Sequence, residues 1–160
     1  NIYKYINRMD IFKEQLIKET IEMNFLNVGN DIEQYFISYF KKNIEGKCHN
    51  EGYIEVDNVS IVNYSSGLLE GDKIIYNVVY SCNVCVPYEG MIIECIVKNL
   101  NKVGIRAIVR EQNNPINIFL TRENNPNIYD YNEGDIIKIK VLGHRYEIND
   151  KFISVIGEII

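Results

Sequence analysis

The sequence has no long apolar run. Its most hydrophobic stretches, such as Gly90-Met91-Ile92-Ile93, are only a few residues long, against the roughly 20 that a helix needs to cross a bilayer. A cationic excess is missing as well: 17 Lys and Arg stand against 22 Asp and Glu, a net charge of −5. Proteins that bind nucleic acid mainly by neutralising phosphates are basic. Any nucleic-acid contact here is therefore local and modest, or shared with a partner. There is no Gly-rich phosphate loop, no zincin helix and no nucleophile with a base at triad spacing. An enzyme is the least expected class. The stretch Asn1–Arg8 has no apolar h-region and no small-residue cleavage site, which argues against a signal peptide. Its lack of an initiator Met is expected of a trimmed chain.

What is there begins with four cysteines and two histidines. Cys82-Asn83-Val84-Cys85 is a CxxC, and Cys48-His49 could complete a zinc site. The CxxC, however, sits inside Ile74–Val86, a long β-type run. On a straight strand, positions three apart point to opposite faces. No second CxxC exists, so free thiols in a reducing compartment are the better reading, and no metal or other cofactor is expected. His144, in Gly143-His144-Arg145-Tyr146, reads as a loop residue, and His49 reads as a turn residue.

Composition and periodicity divide the chain near Val86-Pro87-Tyr88-Glu89-Gly90. Residues 1–86 carry 8 Lys and Arg against 12 Asp and Glu; residues 87–160 carry 9 against 10. In the first part, Phe12–Met23 alternates imperfectly and predicts a strand. A helix follows, with Asn30 as N-cap, Glu33 completing a capping box and Gly46 as the stop. Ile32, Phe36, Tyr39, Phe40 and Ile44 form its apolar stripe, read as core. Tyr53–Tyr64 is β-like around a turn at Asp57-Asn58, Ser65–Asp72 is a turn-rich loop, and Ile74–Val86 is a long strand. The class is α+β, with one helix on a small antiparallel sheet.

Beyond Pro87 no helix signal survives. Strands are expected at Met91–Lys98, Lys102–Arg110, Ile116–Arg122, Asp135–Leu142 and Phe152–Ile159, with a longer loop, Asn124–Glu133, after the third. Five short strands in about 74 residues is the pattern of a small antiparallel OB-type barrel. The uniformly apolar sets should face inward: Ile105, Ala107 and Val109; Ile116, Ile118 and Leu120; Ile137, Ile139 and Val141. That leaves Arg106, Arg110, Asn117, Phe119, Lys138 and Lys140 outside. OB barrels bind oligonucleotides on the face of their second and third strands. Bases can stack on Phe119 and arginine can meet phosphate. Equally, Phe119 can pack under the Asn124–Glu133 loop, since single exposed apolar residues need no function. With one aromatic and no basic excess, binding there is expected to be weak and sequence-tolerant.

Three stretches in register carry a resemblance. They are Glu45-Gly46-Lys47-Cys48 with Glu51-Gly52-Tyr53-Ile54; Asn114-Pro115-Ile116-Asn117-Ile118-Phe119-Leu120-Thr121; and Lys140-Val141-Leu142-Gly143-His144-Arg145 with Phe152–Ile159. The chain resembles, from about Phe12 onward, the stalk subunit of multisubunit DNA-directed RNA polymerases. That family comprises the seventh subunit of eukaryotic polymerase II and its archaeal counterpart. The resemblance implies a non-catalytic accessory subunit without a cofactor and without a membrane role. Residues 1–86 would be the tip domain, docking on the large polymerase core subunits near the clamp and pairing with a small helical fourth-subunit-type partner. Docking would rest on the tip loops, with Gly52, Tyr53, Gly67, Leu68 and Leu69. Residues 87–160 would be the OB domain beside the RNA exit path, touching nascent single-stranded RNA weakly through Arg106, Arg110, Asn117, Phe119, Lys138, Lys140, His144 and Arg145. Two departures weaken the RNA surface: Ile105 stands after Gly104 where many such barrels have an aromatic, and the Asn124–Glu133 loop is short of basic residues.

The other reading is a free-standing OB protein that binds single-stranded RNA, such as a translation or RNA-decay factor. The single alanine, Ala107, against abundant Asn and Ile is the signature of an AT-rich genome, as in some giant viruses and protists. The expected location is the nucleus or cytoplasm within a polymerase complex, or the virion if the source is viral.

Overall fold

Alternation of Ile17, Ile21 and Met23 with charged and polar neighbours makes Phe12–Asn24 a strand with one buried face, here β1. The structure is a computed structural model that describes residues 11–27, 29, 31–111 and 113–160. These residues divide into two compact units. One comprises Phe12–Lys47 and Ile54–Val84. The other comprises Ile11, Cys48–Tyr53 and Cys85–Ile160.

In the first unit, β1 leads through a 3-10 turn, Phe25–Asn27, to the helix α1, Ile32–Asn43. Asn30, the expected N-cap, lies outside the described residues. Asp31 caps the helix, its Oδ1 accepting from the Gln34 N–H at 3.2 Å. Glu33 in the first turn and Lys41 and Lys42 in the last suit the helix dipole. The helix ends as expected before Gly46, whose φ of 70° suits glycine. A small hairpin follows in the chain, β2, Cys48–His49, and β3, Gly52–Ile54. The first unit resumes with β4, Ser60–Tyr64, β5, Leu68–Glu70, and β6, Lys73–Cys85. Both β4 and β5 pair antiparallel with β6, and β1 lies on its other side. Residues 65–72, expected as loop throughout, thus hold a three-residue strand. It carries no alternation because all of Leu68, Leu69 and Glu70 are exposed.

The helix stripe is core, as expected. Phe36, Phe40 and Ile44 are fully buried. Phe36 meets Tyr64 and Tyr76 edge-on at 5.3 and 5.4 Å, and Phe40 meets Tyr80 at 4.9 Å. Such pairs add roughly 0.5–1.5 kcal/mol each beyond the area they bury.

The second unit is a closed five-stranded barrel of β7, Ile92–Leu100; β8, Gly104–Val109; β9, Ile116–Thr121; β10, Ile136–Arg145; and β11, Ile153–Ile159. Its order is β10-β11-β9-β8-β7, closing on β10. The expected inward sets are all buried. Four contacts are antiparallel, but β9 and β11 run parallel, Ile153 opposite Ile116. Strand directions cannot alternate around a ring of five, so a wholly antiparallel barrel could not close. Gly104 permits the close crossing of β8 and β9, since a Cβ there would lie 2.2 Å from the Leu120 carbonyl oxygen. A second correction concerns β10. It bulges between Val141 and Gly143 and continues through Arg145, so His144 and Arg145 are strand residues, not loop. A 3-10 turn, Ile128–Asp130, interrupts the long loop after β9.

The same unit takes in the β2–β3 hairpin up to Tyr53. His49 is therefore a strand residue, opposite Gly52. Backbone bonds tie this hairpin to the β10–β11 connection: Cys48 N–H to the Asp150 carbonyl at 2.7 Å, and Asn149 N–H to the Cys48 carbonyl at 2.8 Å. The Tyr146 hydroxyl adds a bond to the Asn50 carbonyl at 3.2 Å. Among the described residues, no helix is long and apolar enough to cross a membrane.

Candidate nucleic-acid interface

The outer face of β8, β9, β11 and the end of β10 is set by register. Arg106 stands directly opposite Phe119, Phe119 opposite Ile156, and Ile156 opposite Gly143. In the next row Ile108 faces Asn117, Asn117 faces Ser154, and Ser154 faces Arg145. Directly opposed residues share a sheet face with their Cβ atoms about 5 Å apart. Arg106, Asn117, Phe119 and Arg145, four of the eight expected RNA contacts, are thereby gathered on one surface. Phe119 is 42% exposed, so its ring is open to water, not sealed under the loop.

The other four are placed differently. Arg110 lies just past the end of β8, exposed. His144 is exposed at the bulged end of β10, its ring stacked on Tyr146 at 6.0 Å. Lys138 stands opposite Glu94, and Lys140 opposite Glu158. A carboxylate residue thus stands across the strand pair from each of these lysines, which lowers the local positive potential. Arg145 has an acidic neighbour too, Glu147 Oε1 at 3.5 Å, but both groups are exposed and such surface pairs are weak. Ile156 and Ser154 are not among the expected residues. They join the face only because β11 runs beside β9, a pairing that a period of two does not reveal.

Of the five expected docking residues, Gly52 and Tyr53 belong to the barrel unit and Gly67, Leu68 and Leu69 to the α+β unit. Gly52 and Tyr53 are buried in the β2–β3 hairpin, Tyr53 only 9% exposed. Gly67, Leu68 and Leu69 are exposed on the segment entering and forming β5. Tyr53, buried within its own chain, leaves little surface for a partner.

All four cysteines are buried. Burial, helped by Asp150, pushes the Cys48 thiol up to about 11. Burial, helped by Glu94, pushes Cys95 up to about 12. Neither thiol is therefore a poised nucleophile. Among the described residues, no three His, Cys, Asp or Glu side chains gather as metal ligands would. The barrel face can stack a base, pair an arginine with phosphate and cover apolar area.

No family model matches the chain. The chain is 22% identical over 176 residues to the DNA-directed RNA polymerase II subunit RPB7 of Glycine max, covering 92% of this chain and 98% of that protein. It matches the DNA-directed RNA polymerase II subunit 7 of Arabidopsis thaliana to the same extent. It is also 24% identical over 152 residues to a putative DNA-directed RNA polymerase subunit of Acanthamoeba polyphaga mimivirus, covering 83% of this chain and 73% of that one. The chain is thus similar, along most of its length, to two seventh subunits of polymerase II and to a putative viral RNA polymerase subunit. The resemblance seen in its motifs is borne out.

Proposed function

We propose that the chain is the stalk subunit of a DNA-directed RNA polymerase, an accessory subunit with no active site of its own. The observation that carries this is the end-to-end similarity to seventh-subunit proteins, over 92% of this chain and 98% of the Glycine max protein. Those relatives support a DNA-directed RNA polymerase subunit. The α+β unit followed by a closed barrel agrees with it. On this reading residues 1–86 dock on the large core subunits near the clamp and pair with a small helical fourth-subunit-type partner. Residues 87–160 lie by the RNA exit path and touch the transcript weakly. The complex works in the nucleus or the cytoplasm, or sits in the virion if the source is viral.

The buried Tyr53 moves the proposed docking surface onto Gly67, Leu68 and Leu69, which are exposed. The test is capture of the tagged full chain from the cells or virus particles that make it, with mass spectrometry of what it brings. Large polymerase subunits and a small helical partner are expected. Capture of neither overturns the proposal. Tight RNA binding by the chain alone, without polymerase, would instead favour a free-standing RNA-binding protein.

A further inference from the structure

The loop after β9 and the end of β11 enclose a half-open cavity of about 180 Å³. Asn124, Pro126, Asn127 and Tyr131 line it from the loop, and Glu158 and Ile160 line it from the strand side. Both walls are pinned. Asn125 ties the loop to the Gly157 carbonyl and the Ile159 N–H. The Asn125 carbonyl accepts from the Ile128 N–H at 3.2 Å, and the Asn127 carbonyl from the Asp130 N–H at 3.1 Å. Ile128 is fully buried and anchors that turn. On the strand side the Ile160 N–H donates to the Lys138 carbonyl at 3.1 Å.

The polar groups of the lining are unspent. Among the described residues, the side chains of Asn124, Asn127, Tyr131 and Glu158 make no hydrogen bond or ion pair. Lys140 stands opposite Glu158 in register, yet the two form no ion pair. The loop itself is acidic in sequence, with Glu123, Asp130, Glu133 and Asp135. The cation at its start, Arg122, lies over the Tyr129 ring at 5.5 Å.

These features narrow the occupant. A nucleic-acid phosphate or an anionic membrane meets carboxylates here, not cations. A purely apolar group would strip water from Glu158 and return nothing. The volume is below the roughly 300–1,000 Å³ of small-molecule pockets, so it suits one side chain. A guanidinium answers each feature. Two of its N–H groups match the Glu158 carboxylate in parallel, and others reach the side-chain oxygens of Asn124 and Asn127. Its plane can stack on the Tyr131 ring while its methylenes cover Pro126 and Ile160.

We infer that this cavity receives an arginine side chain from a protein partner. The inference goes beyond the polymerase-subunit reading. It adds a protein contact on the barrel, built from residues that belong neither to the proposed RNA contacts nor to the proposed docking loops.

The test titrates the isotope-labelled full chain with the peptide acetyl-Gly-Arg-Gly-amide and follows amide resonances by NMR. The side-chain amides of Asn124 and Asn127 and the backbone amide of Ile160 are expected to shift, with a Kd on the order of 1 mM. The same peptide with citrulline, which keeps the shape and loses the charge, should bind roughly tenfold more weakly. Glu158→Gln should weaken the arginine peptide by about the same factor. Glu158 is exposed, and an unchanged spectrum away from the cavity checks that the variant is folded. If those resonances do not move, if citrulline binds as well as arginine, or if Glu158→Gln has no effect, the inference is refuted and the polymerase reading is untouched. Oligouridylate that shifts the same resonances would make the occupant a nucleic acid instead. A wild-type dimer in sedimentation that Glu158→Gln dissolves would make it a second copy of this chain. Either result overturns the choice of partner.

Discussion

Asn125 shows how one polar side chain can hold a barrel end. It is 5% exposed. Its Nδ2 donates to the Thr121 carbonyl at 3.0 Å and the Gly157 carbonyl at 3.2 Å, and its Oδ1 accepts from the Ile159 N–H at 2.8 Å. The loop after β9 is thus stitched to the end of β9 and to one edge of the last strand. Asn125→Leu fills the space but leaves the Gly157 carbonyl and the Ile159 N–H short of partners, while the Thr121 carbonyl keeps the backbone N–H of residue 125 at 3.0 Å. It is expected to cost about 1–3 kcal/mol for each group left dry, read as a fall in the urea midpoint with an unchanged m-value. Asn125→Asp should be worse, since it turns an acceptor toward two carbonyls. A midpoint within error of wild type for both variants would show that the bonds are not needed. In the sequence Asn125 is one Asn in an Asn-rich loop, and nothing local distinguishes it. Its partners at Gly157 and Ile159 are more than thirty residues away.

The thiols give a second residue-scale expectation. Burial raises Cys48 to about 11 and Cys95 to about 12 from an ordinary 9.0. Below about pH 9 both folded and unfolded thiols keep their protons, and stability is indifferent to them. Above it the unfolded thiol ionises first, so the unfolded state binds fewer protons and stability falls as pH rises. The slope is at most about 1.4 kcal/mol per pH unit for each thiol, from about pH 9 up to the folded value. Tyrosines and lysines titrate in the same range, so the comparison is with Cys95→Val. Its urea midpoint should decline less between about pH 9 and pH 11 than wild type does. Parallel declines would refute the role of Cys95. That Cys82, Cys85 and Cys95 are strand residues is legible, because they stand in β-type runs, while Cys48 is in a segment that reads as a turn.

At the scale of elements, the sequence speaks clearly where one face is uniformly apolar. Ile105, Ala107 and Val109 set the inward face of β8, as Ile116, Ile118 and Leu120 do for β9, and Phe36, Phe40 and Ile44 set the buried stripe of α1. Periodicity says which way a side chain points but not which strand lies beside it. The parallel β9–β11 contact, and with it Ile156 next to Phe119, is therefore hidden. Bulges hide residues as well. The one between Val141 and Gly143 breaks the alternation of β10, which is why His144 and Arg145 look like loop. Short exposed elements leave no pattern at all. In β5, Leu68-Leu69-Glu70 is wholly exposed and reads as a mere link between Ser66-Gly67 and Gly71-Asp72. The β2–β3 hairpin escapes notice for a different reason. Its bonds run from Cys48 to Asp150 and from Asn50 to Tyr146, and contacts of such range leave no local trace.

For the molecule as a whole, charge decides how much RNA the proposed exit-path role can hold. The chain carries −5. On the barrel face, Lys138 and Lys140 stand across from Glu94 and Glu158, away from the Phe119 row. This leaves Arg106, Arg110 and Arg145 to meet phosphates, and Phe119 as the ring on which a base can stack. Three phosphate contacts on a single strand give a slope of log affinity against log salt of about −2, at roughly −0.7 per phosphate. Losing the stacked ring costs roughly 1–3 kcal/mol. Binding of a labelled single-stranded RNA to the full chain should therefore be weak, measurable only at low salt, and indifferent to sequence. Phe119→Ala should weaken it about tenfold or more without changing the salt slope, while Arg106→Gln should reduce the slope by about 0.7. The two variants separate stacking from phosphate contact because Arg106 and Phe119 are direct cross-strand neighbours on one face. If both leave affinity and slope untouched, the RNA lies elsewhere or is not bound. The barrel would then serve the polymerase as a protein surface, with Phe119 and Ile156 covering apolar area instead of holding a transcript.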